Sequence, residues 1–329
     1  MAVLVLGAGM VGSQAARQLL DRGETPVLFD IAPNTPHLAT VFDPGSVKVV
    51  RGDIQELAEL VDVIRANNID RIIHTAGLLF DGVRQRPYAG TKINIVGTLN
   101  VLEAAKLTGV KRVVLCSTGF VYVAVSSNPG QPIDEDMTMR MVNDRPRAFY
   151  AISKLTSEYL GLSYCEQFGV DFVGVRFGGV FGPWKGFVSG VPGRYVDQFA
   201  VPGAQGKPIV LEDPFLLTGG GGSFVYAKDA AKGTVLACFA PPEQLKHRIY
   251  NITMSRNYPI EEQLAIAGRV FPGVPIQIGD AVKGAIEQFR MGRPPAIGRA
   301  RAELGYEPDF EMERALGDYA EWLREFGGN

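Results

Sequence analysis

Little in this chain suits chemistry built on metals or disulfides. Its 329 residues include three cysteines, Cys116, Cys165 and Cys238, an odd number with no CxxC spacing. A disulfide framework or a zinc site is therefore not expected, and a reducing compartment is. Histidine is equally scarce: His37, His74 and His247 lie far apart, so no histidine cluster is available to a metal. An excess of one charge is missing too. The net charge is −2 with both signs interspersed, which favours neither nucleic acid nor an anionic membrane as partner. No apolar run reaches membrane-spanning length. The apolar start from Met1 to Leu6 breaks at Gly7 and has neither the charged region nor the length of a signal peptide. Together these absences lead us to expect a soluble, cytoplasmic protein.

What is present suits a large folded unit. Hydrophobic residues make up 46% of the chain and charged residues 21%, ordinary for a globular protein. The length accommodates one doubly wound unit with a smaller appended lobe. Short apolar runs, Ala2–Leu6, Pro26–Phe29, Val47–Val50, Arg71–His74 and Arg112–Cys116, read as strands, most of them separated by helical patterns. Near-continuously apolar strands joined by helices predict an α/β fold with a parallel sheet covered on both faces. Helices are expected from about Met10 to Gly23, over 93–107, over 149–168 and over about 311–325, with a further strand at 171–175. After Gly178 glycine and proline become dense through Gly222, which reads as the start of a loop-rich lobe facing a ligand. We expect residues 1–177 to form a dinucleotide-binding, Rossmann-like domain and residues 178–329 to be mainly a substrate lobe, interleaved with returns to the main sheet.

The first motif is Gly7-Ala-Gly9-Met10-Val11-Gly12, between a strand and a helix. A lone GxGxxG is weak, but Asp30 ends the second strand eighteen positions beyond Gly12. Gly7 permits a tight turn, Gly9 lets backbone approach a pyrophosphate, and Gly12 allows close helix–strand packing. The N–H groups at Met10 and Val11 face the anion. Asp30 suits ribose hydroxyls and repels a 2′-phosphate, and no arginine follows in Ile31–Asn34, which favours NAD over NADP. Asp53 and Ile54, past the third strand, are placed to meet the adenine; Asp53 fits a helix N-cap equally well. Thr75, Ala76 and Gly77 form a small-residue turn that would let the cofactor pass, while His74 is read as packed.

The second motif is Tyr150-Ala-Ile-Ser-Lys154, a phenol and an ammonium one helical turn apart. By itself this spacing is common on solvated helices. Thr118, just past the fifth strand, should reach the same sheet edge, since ligands bind beyond the carboxyl ends of parallel strands. A tyrosine titrates near 10 and is a poor base at neutral pH, and a close ammonium is expected to lower that value. Thr118, Tyr150 and Lys154 therefore read as a catalytic set for hydride transfer at a secondary alcohol.

These residues, with Asn94–Asn100, Val121–Tyr122, Arg176–Pro183, Phe224–Asp229, Tyr250–Ile252 and Arg299–Tyr306, resemble the extended short-chain dehydrogenase/reductase family, its NAD-dependent epimerase/dehydratase group, over nearly the whole chain. The resemblance implies NAD held at the first glycines, Asn94 in the cofactor site, the Thr118/Tyr150/Lys154 set and a homodimer built on two long helices. Departures bear on substrate. Leu6 stands where many members have the first glycine of GxxGxxG. Gly179 stands where nucleotide-sugar epimerases carry an asparagine, and Gly222 where they carry an arginine. Gly119-Phe120 replaces the Asp-Glu pair of the sugar dehydratases, which disfavours dehydration. Gly178, Gly179, Arg194 and Arg293 are the substrate candidates. Arg194 or Lys185 would hold a small carboxylate or be solvated loop charges, and Arg293 would bind phosphate or be a surface charge. The run Gly219–Gly222 is open to two readings, a lid or a plain loop.

The expected function is NAD-dependent oxidoreduction of a small polar compound of the sugar-acid, hydroxy-acid or amino-alcohol kind. The alternatives are a nucleotide-sugar epimerase with tightly bound NAD and, from a different class, a dinucleotide-sensing binding protein. No metal is expected.

Overall fold

The computed structural model describes residues 1–124, 133–137, 149–186, 190–216, 222–288 and 294–327. The strands are β1 (Ala2–Leu6), β2 (Thr25–Asp30), β3 (Lys48–Arg51), β4 (Arg71–His74), β5 (Arg112–Thr118), β6 (Phe172–Phe177), β7 (Gly179–Phe181), β8 (Ile209–Leu211), β9 (Phe224–Tyr226), β10 (Ile249–Ile252) and β11 (Ile276–Ile278). Seven of them form one sheet in the order β10-β6-β5-β4-β1-β2-β3. Every ladder in it is parallel.

Alternation along the central strands explains the layering. In β1, Val3 and Val5 pack into one core while Leu4 and Leu6 pack into another on the opposite face. In β5, Val114 and Cys116 face the first core and Val113 and Leu115 the second. A strand apolar on both faces has to be covered on both. The helices Met10–Asp21 and Ala227–Phe239 cover one side, and Leu57–Ala66 and Gly97–Thr108 the other. The strand order reverses direction between β1 and β4, a switch point where the carboxyl ends diverge into a crevice.

A third core holds the second lobe together, drawing on Phe181, Tyr195, Phe199, Phe224, Phe271 and Tyr319 among others. Two small parallel pairs, β7 with β9 and β8 with β11, belong to this lobe. β10, by contrast, returns to the main sheet beside β6.

Two elements depart from the sequence expectation. The glycine- and proline-dense stretch contains a 14-residue helix, Val191–Ala204. Pro192 sits in its first turn, where no intrahelical donor is lost, and Tyr195, Val196, Phe199 and Ala200 bury one face. Packing of that face outweighs the breaker composition. The helix expected over 93–107 begins as a π-turn, Lys92–Val96, before the regular Gly97–Thr108. The wider turn falls at Asn94, which is buried, and such bulges concentrate at working positions. No helix among the described residues is long and apolar enough to cross a membrane.

Candidate active site

One cavity of about 920 Å³ opens at the switch point. It runs from the glycine turn and the ends of β2 and β3, past the turn after β4, to the end of β5 and into the second lobe.

The glycine turn is built by close approach. Gly7 has φ +96°, and its N–H bonds the Phe29 carbonyl at 2.8 Å. The Thr75 hydroxyl donates to the carbonyls of Leu6 and Gly7 at 2.8 and 2.9 Å, tying this turn to the one after β4. A Cβ on Gly12 would lie 1.9 Å from the Gly7 carbonyl oxygen, whereas one on Gly9 would meet nothing within 4 Å. The two glycines thus serve different ends: Gly12 lets the helix pack on the turn, and Gly9 leaves space in the cavity. Gly12 is not on the cavity wall. The helix Met10–Asp21 has no side-chain cap and no acid in its first turn, so the N–H groups at Met10 and Val11 present partial positive charge to the cavity. Asp30 accepts from the Ala8 and Ala32 N–H groups at 2.8 and 2.7 Å, fixing its carboxylate beside the turn. Asp53 accepts from the Gln55 N–H at 2.9 Å just ahead of the helix Leu57–Ala66 and also lines the cavity. Of its two readings the structure keeps the wall residue: the helix starts after Glu56 and has no side-chain cap, so Asp53 closes the turn before the helix instead of capping it. An uncapped helix N-terminus, an open cradle at Gly9 and a carboxylate at the end of β2 fit a dinucleotide with free ribose hydroxyls.

At the other end, Thr118, Tyr150 and Lys154 share the wall. The helix Phe149–Phe168 carries Tyr150 and Lys154. The Lys154 ammonium is buried and donates to the Cys116 carbonyl at 3.0 Å. Burial holds its pKa below the ordinary lysine value. Burial pushes the Tyr150 phenol up to about 12, opposed by its hydrogen bond with Thr118. This corrects the expectation of a lowered value: desolvation of the phenol outweighs the Thr118 hydrogen bond, the one contribution that opposes it.

Asn94 stands behind the wall rather than on it. Its amide accepts from the Leu78 N–H at 2.8 Å and donates to the Leu78 carbonyl at 3.0 Å and to Ser153 Oγ at 3.1 Å. It thereby pins the turn after β4 to the catalytic helix. His74 is packed as expected, 3.1 Å from Thr98 Oγ1, with burial lowering its pKa to about 3. Gly178 and Gly179 line the cavity. Arg194 does not; its guanidinium pairs with Asp81 at 3.0 Å, because its place in the helix Val191–Ala204 aims it at that carboxylate. Lys185 is also off the wall, its N–H facing His37 Nδ1 at 3.3 Å. Arg293 and Gly219–Gly221 lie outside the described residues, while Gly222 lines the cavity.

Wall residues that sequence reasoning passed over are mostly apolar: Leu78, Leu79, Phe80, Trp184 and Phe215. The signal for some was there. Leu78-Leu79-Phe80 directly follows the small-residue turn, an apolar run too far past the strand to belong to the sheet. Among the described residues no group of three or more His, Cys, Asp or Glu could hold a metal ion.

Residues 3–253 match the model of the NAD dependent epimerase/dehydratase family. A UDP-glucuronate 4-epimerase of Thermodesulfobacterium geofontis is 28% identical, over 98% of this chain and 96% of its own. Among solved structures, the Thermus thermophilus UDP-glucose 4-epimerase in complex with NAD superposes with a TM-score of 0.75 at 24% identity, covering 98% of this chain and 99% of that one. The L-threonine dehydrogenase of Clostridium difficile gives a TM-score of 0.78 at 21% identity, covering 99% and 98%. These two show the fold. The family match spans most of the chain, and the cradle at Gly9, the uncapped helix and Asp30 suit its cofactor: this protein belongs to the NAD-dependent epimerase/dehydratase family and is an NAD-dependent oxidoreductase of the extended short-chain dehydrogenase type.

Proposed function

We propose that the chain catalyses reversible hydride transfer at a secondary alcohol or ketone of a small polar compound, of the sugar-acid, hydroxy-acid or amino-alcohol kind. The observation that carries this reading is the shared cavity, with the glycine turn at one end and Thr118, Tyr150 and Lys154 at the other. Gly9, Met10 and Val11 would hold the pyrophosphate, Asp30 the ribose, Asp53 and Ile54 the adenine, and Thr75–Gly77 the passage between. NAD, when bound, supplies the hydride acceptor. The residues do the rest. Thr118 orients the substrate oxygen and Tyr150 exchanges the alcohol proton. Lys154, one turn away, contributes the positive charge that favours the phenolate against burial. Asn94, bonded to Leu78 on one side and to Ser153 on the other, keeps the wall in register with the helix Phe149–Phe168.

Tyr150→Phe is expected to lower kcat by about 10²- to 10⁴-fold, the usual worth of a positioned acid–base group, while NAD affinity stays within about twofold. Retained turnover in that variant would refute the assignment. Similarity to a UDP-glucuronate 4-epimerase over 98% of the chain supports a second reading, epimerisation with retained NAD. It differs in producing no net NADH from substrate and in purified protein that carries the cofactor.

A homodimer is supported by the apolar side chains Phe149, Ile152 and Tyr159 exposed on the helix Phe149–Phe168; sedimentation equilibrium reads the mass directly. Three free cysteines support a reducing, cytoplasmic setting.

A further inference from the structure

Along with Thr118, Tyr150 and Lys154, the substrate half of the cavity carries a group of apolar side chains that includes Leu79, Phe80, Phe120, Pro192 and Phe215. Phe120 follows Thr118 by two residues, and its N–H donates to the Thr118 hydroxyl at 3.1 Å, so its backbone is held against the catalytic oxygen and both residues line the cavity. The ring meets Phe80 edge-on at 5.4 Å and lies 6.5 Å from the Tyr150 ring. Leu79 is 44% exposed, Phe120 36% and Phe215 50%, and all three line the cavity. Apolar side chains left uncovered together inside a concave site, rather than scattered on the surface, mark a ligand surface.

The second lobe presents the same character. A Cβ on Gly179 would lie 2.4 Å from the Pro192 Cβ, and one on Gly178 would lie 2.9 Å from the Ser223 carbonyl oxygen. The Pro192 ring thus fills the space in which a polar side chain at 179 would stand. Among the described lining residues Lys154 is the single side-chain cation, and it is committed to the Cys116 carbonyl. Among the described lining residues a pyrophosphate's two charges would find this one side-chain cation, whereas a substrate with a single charge or none leaves less buried charge uncompensated.

Resting on the hydride-transfer reading above, we propose that the substrate is amphipathic: polar at the reacting carbon and its neighbours, and carrying an aromatic or branched aliphatic body that packs against Phe80, Phe120 and Pro192. An aryl-substituted hydroxy acid or amino alcohol has this chemistry, and a nucleotide sugar does not.

The test compares 3-hydroxy-3-phenylpropanoate, 3-hydroxybutanoate and UDP-glucuronate on the NAD-loaded enzyme. The phenyl compound is expected to exceed the methyl compound in kcat/KM by about tenfold or more, the range in which one apolar group discriminates. Phe80→Ala and Phe120→Ala should each collapse that ratio toward unity, with NAD binding confirming that the variants fold. Calorimetry on the Tyr150→Phe holoenzyme with the matching phenyl and methyl ketones should show the same preference in Kd. A preference below about threefold in both measurements, or UDP-glucuronate handled better than the phenyl compound, overturns the proposal. No turnover of any compound together with a retained phenyl preference in Kd would sink the hydride-transfer reading and leave the apolar subsite standing.

Discussion

Gly9 and Gly12 lie three positions apart and answer to different forces. At Gly12 a methyl group would collide with the Gly7 carbonyl oxygen at 1.9 Å, a backbone atom that has no side-chain freedom to move aside. Gly12→Ala is therefore expected to destabilise the fold by about 1–3 kcal/mol, the usual cost of overpacking. At Gly9 the added methyl meets open space, the space a pyrophosphate would use. Gly9→Ala should leave thermal stability within about a degree or two of wild type while weakening NAD binding severalfold. Melting curves with and without NAD separate the two, and equal losses in both variants would contradict the division of roles. The spacing of these glycines was readable from the sequence, as was the pairing of Tyr150 with Lys154. The upward push on the Tyr150 phenol was not, because it depends on how much of the phenol the surrounding walls desolvate.

Between elements, a buried polar network underlies the catalytic wall. Arg176 on β6 makes a bidentate pair with Glu158 on the helix Phe149–Phe168, the closest contact 2.7 Å, with both side chains almost fully buried. Ser117, next to Thr118, donates to the same carboxylate. Arg176 also donates to the Tyr122 hydroxyl at 2.9 Å, which in turn donates to Asn251 on β10 at 2.7 Å. One charge pair thus joins β5, β6, β10 and the catalytic helix. Removing one partner strands the other, so Glu158→Ala should cost about 3–5 kcal/mol in urea unfolding. The double replacement Glu158→Leu with Arg176→Met should recover part of that loss, since neither charge is then left unpaired. A Glu158→Ala cost below about 1 kcal/mol would show the network to be ornamental. The strands β4 and β5 were legible as near-continuously apolar runs, and the helix Phe149–Phe168 through the Tyr150–Lys154 turn it carries, although its apolar residues are spread around the helix instead of along one face. The helix Val191–Ala204 was hidden by its prolines and glycines, and only burial against the second core reveals why it forms.

For the molecule as a whole, two buried histidines couple stability to pH. Burial lowers His37 to about 4, and the nearby Lys185 adds to the effect; burial lowers His74 to about 3. Each is kept neutral in the folded protein, while in the unfolded chain it binds a proton near 6.5. Their contribution is complete above pH 6.5 and is lost as pH falls from there toward the folded values. Each histidine adds up to about 1.4 kcal/mol per pH unit to the slope in that window. Urea midpoints at pH 7, 6 and 5 should fall accordingly, and His74→Asn should flatten the slope; an unchanged slope would show that His74 titrates alike in both states.

The chain's local chemistry alone determined the doubly wound fold, the dinucleotide turn and the candidate catalytic set. A glycine spacing, a carboxylate at a strand end and a Tyr–Lys turn each act over a few residues, and a strand apolar on both faces admits few architectures. Tertiary packing decided what no local pattern encodes. It put Arg194 on Asp81 instead of in the cavity, set Pro192 against Gly179, and left Leu79 and Phe120 on a cavity wall rather than in the core. Whether an apolar side chain is core or binding surface depends on which distant element covers it, and that is settled only when the two lobes meet.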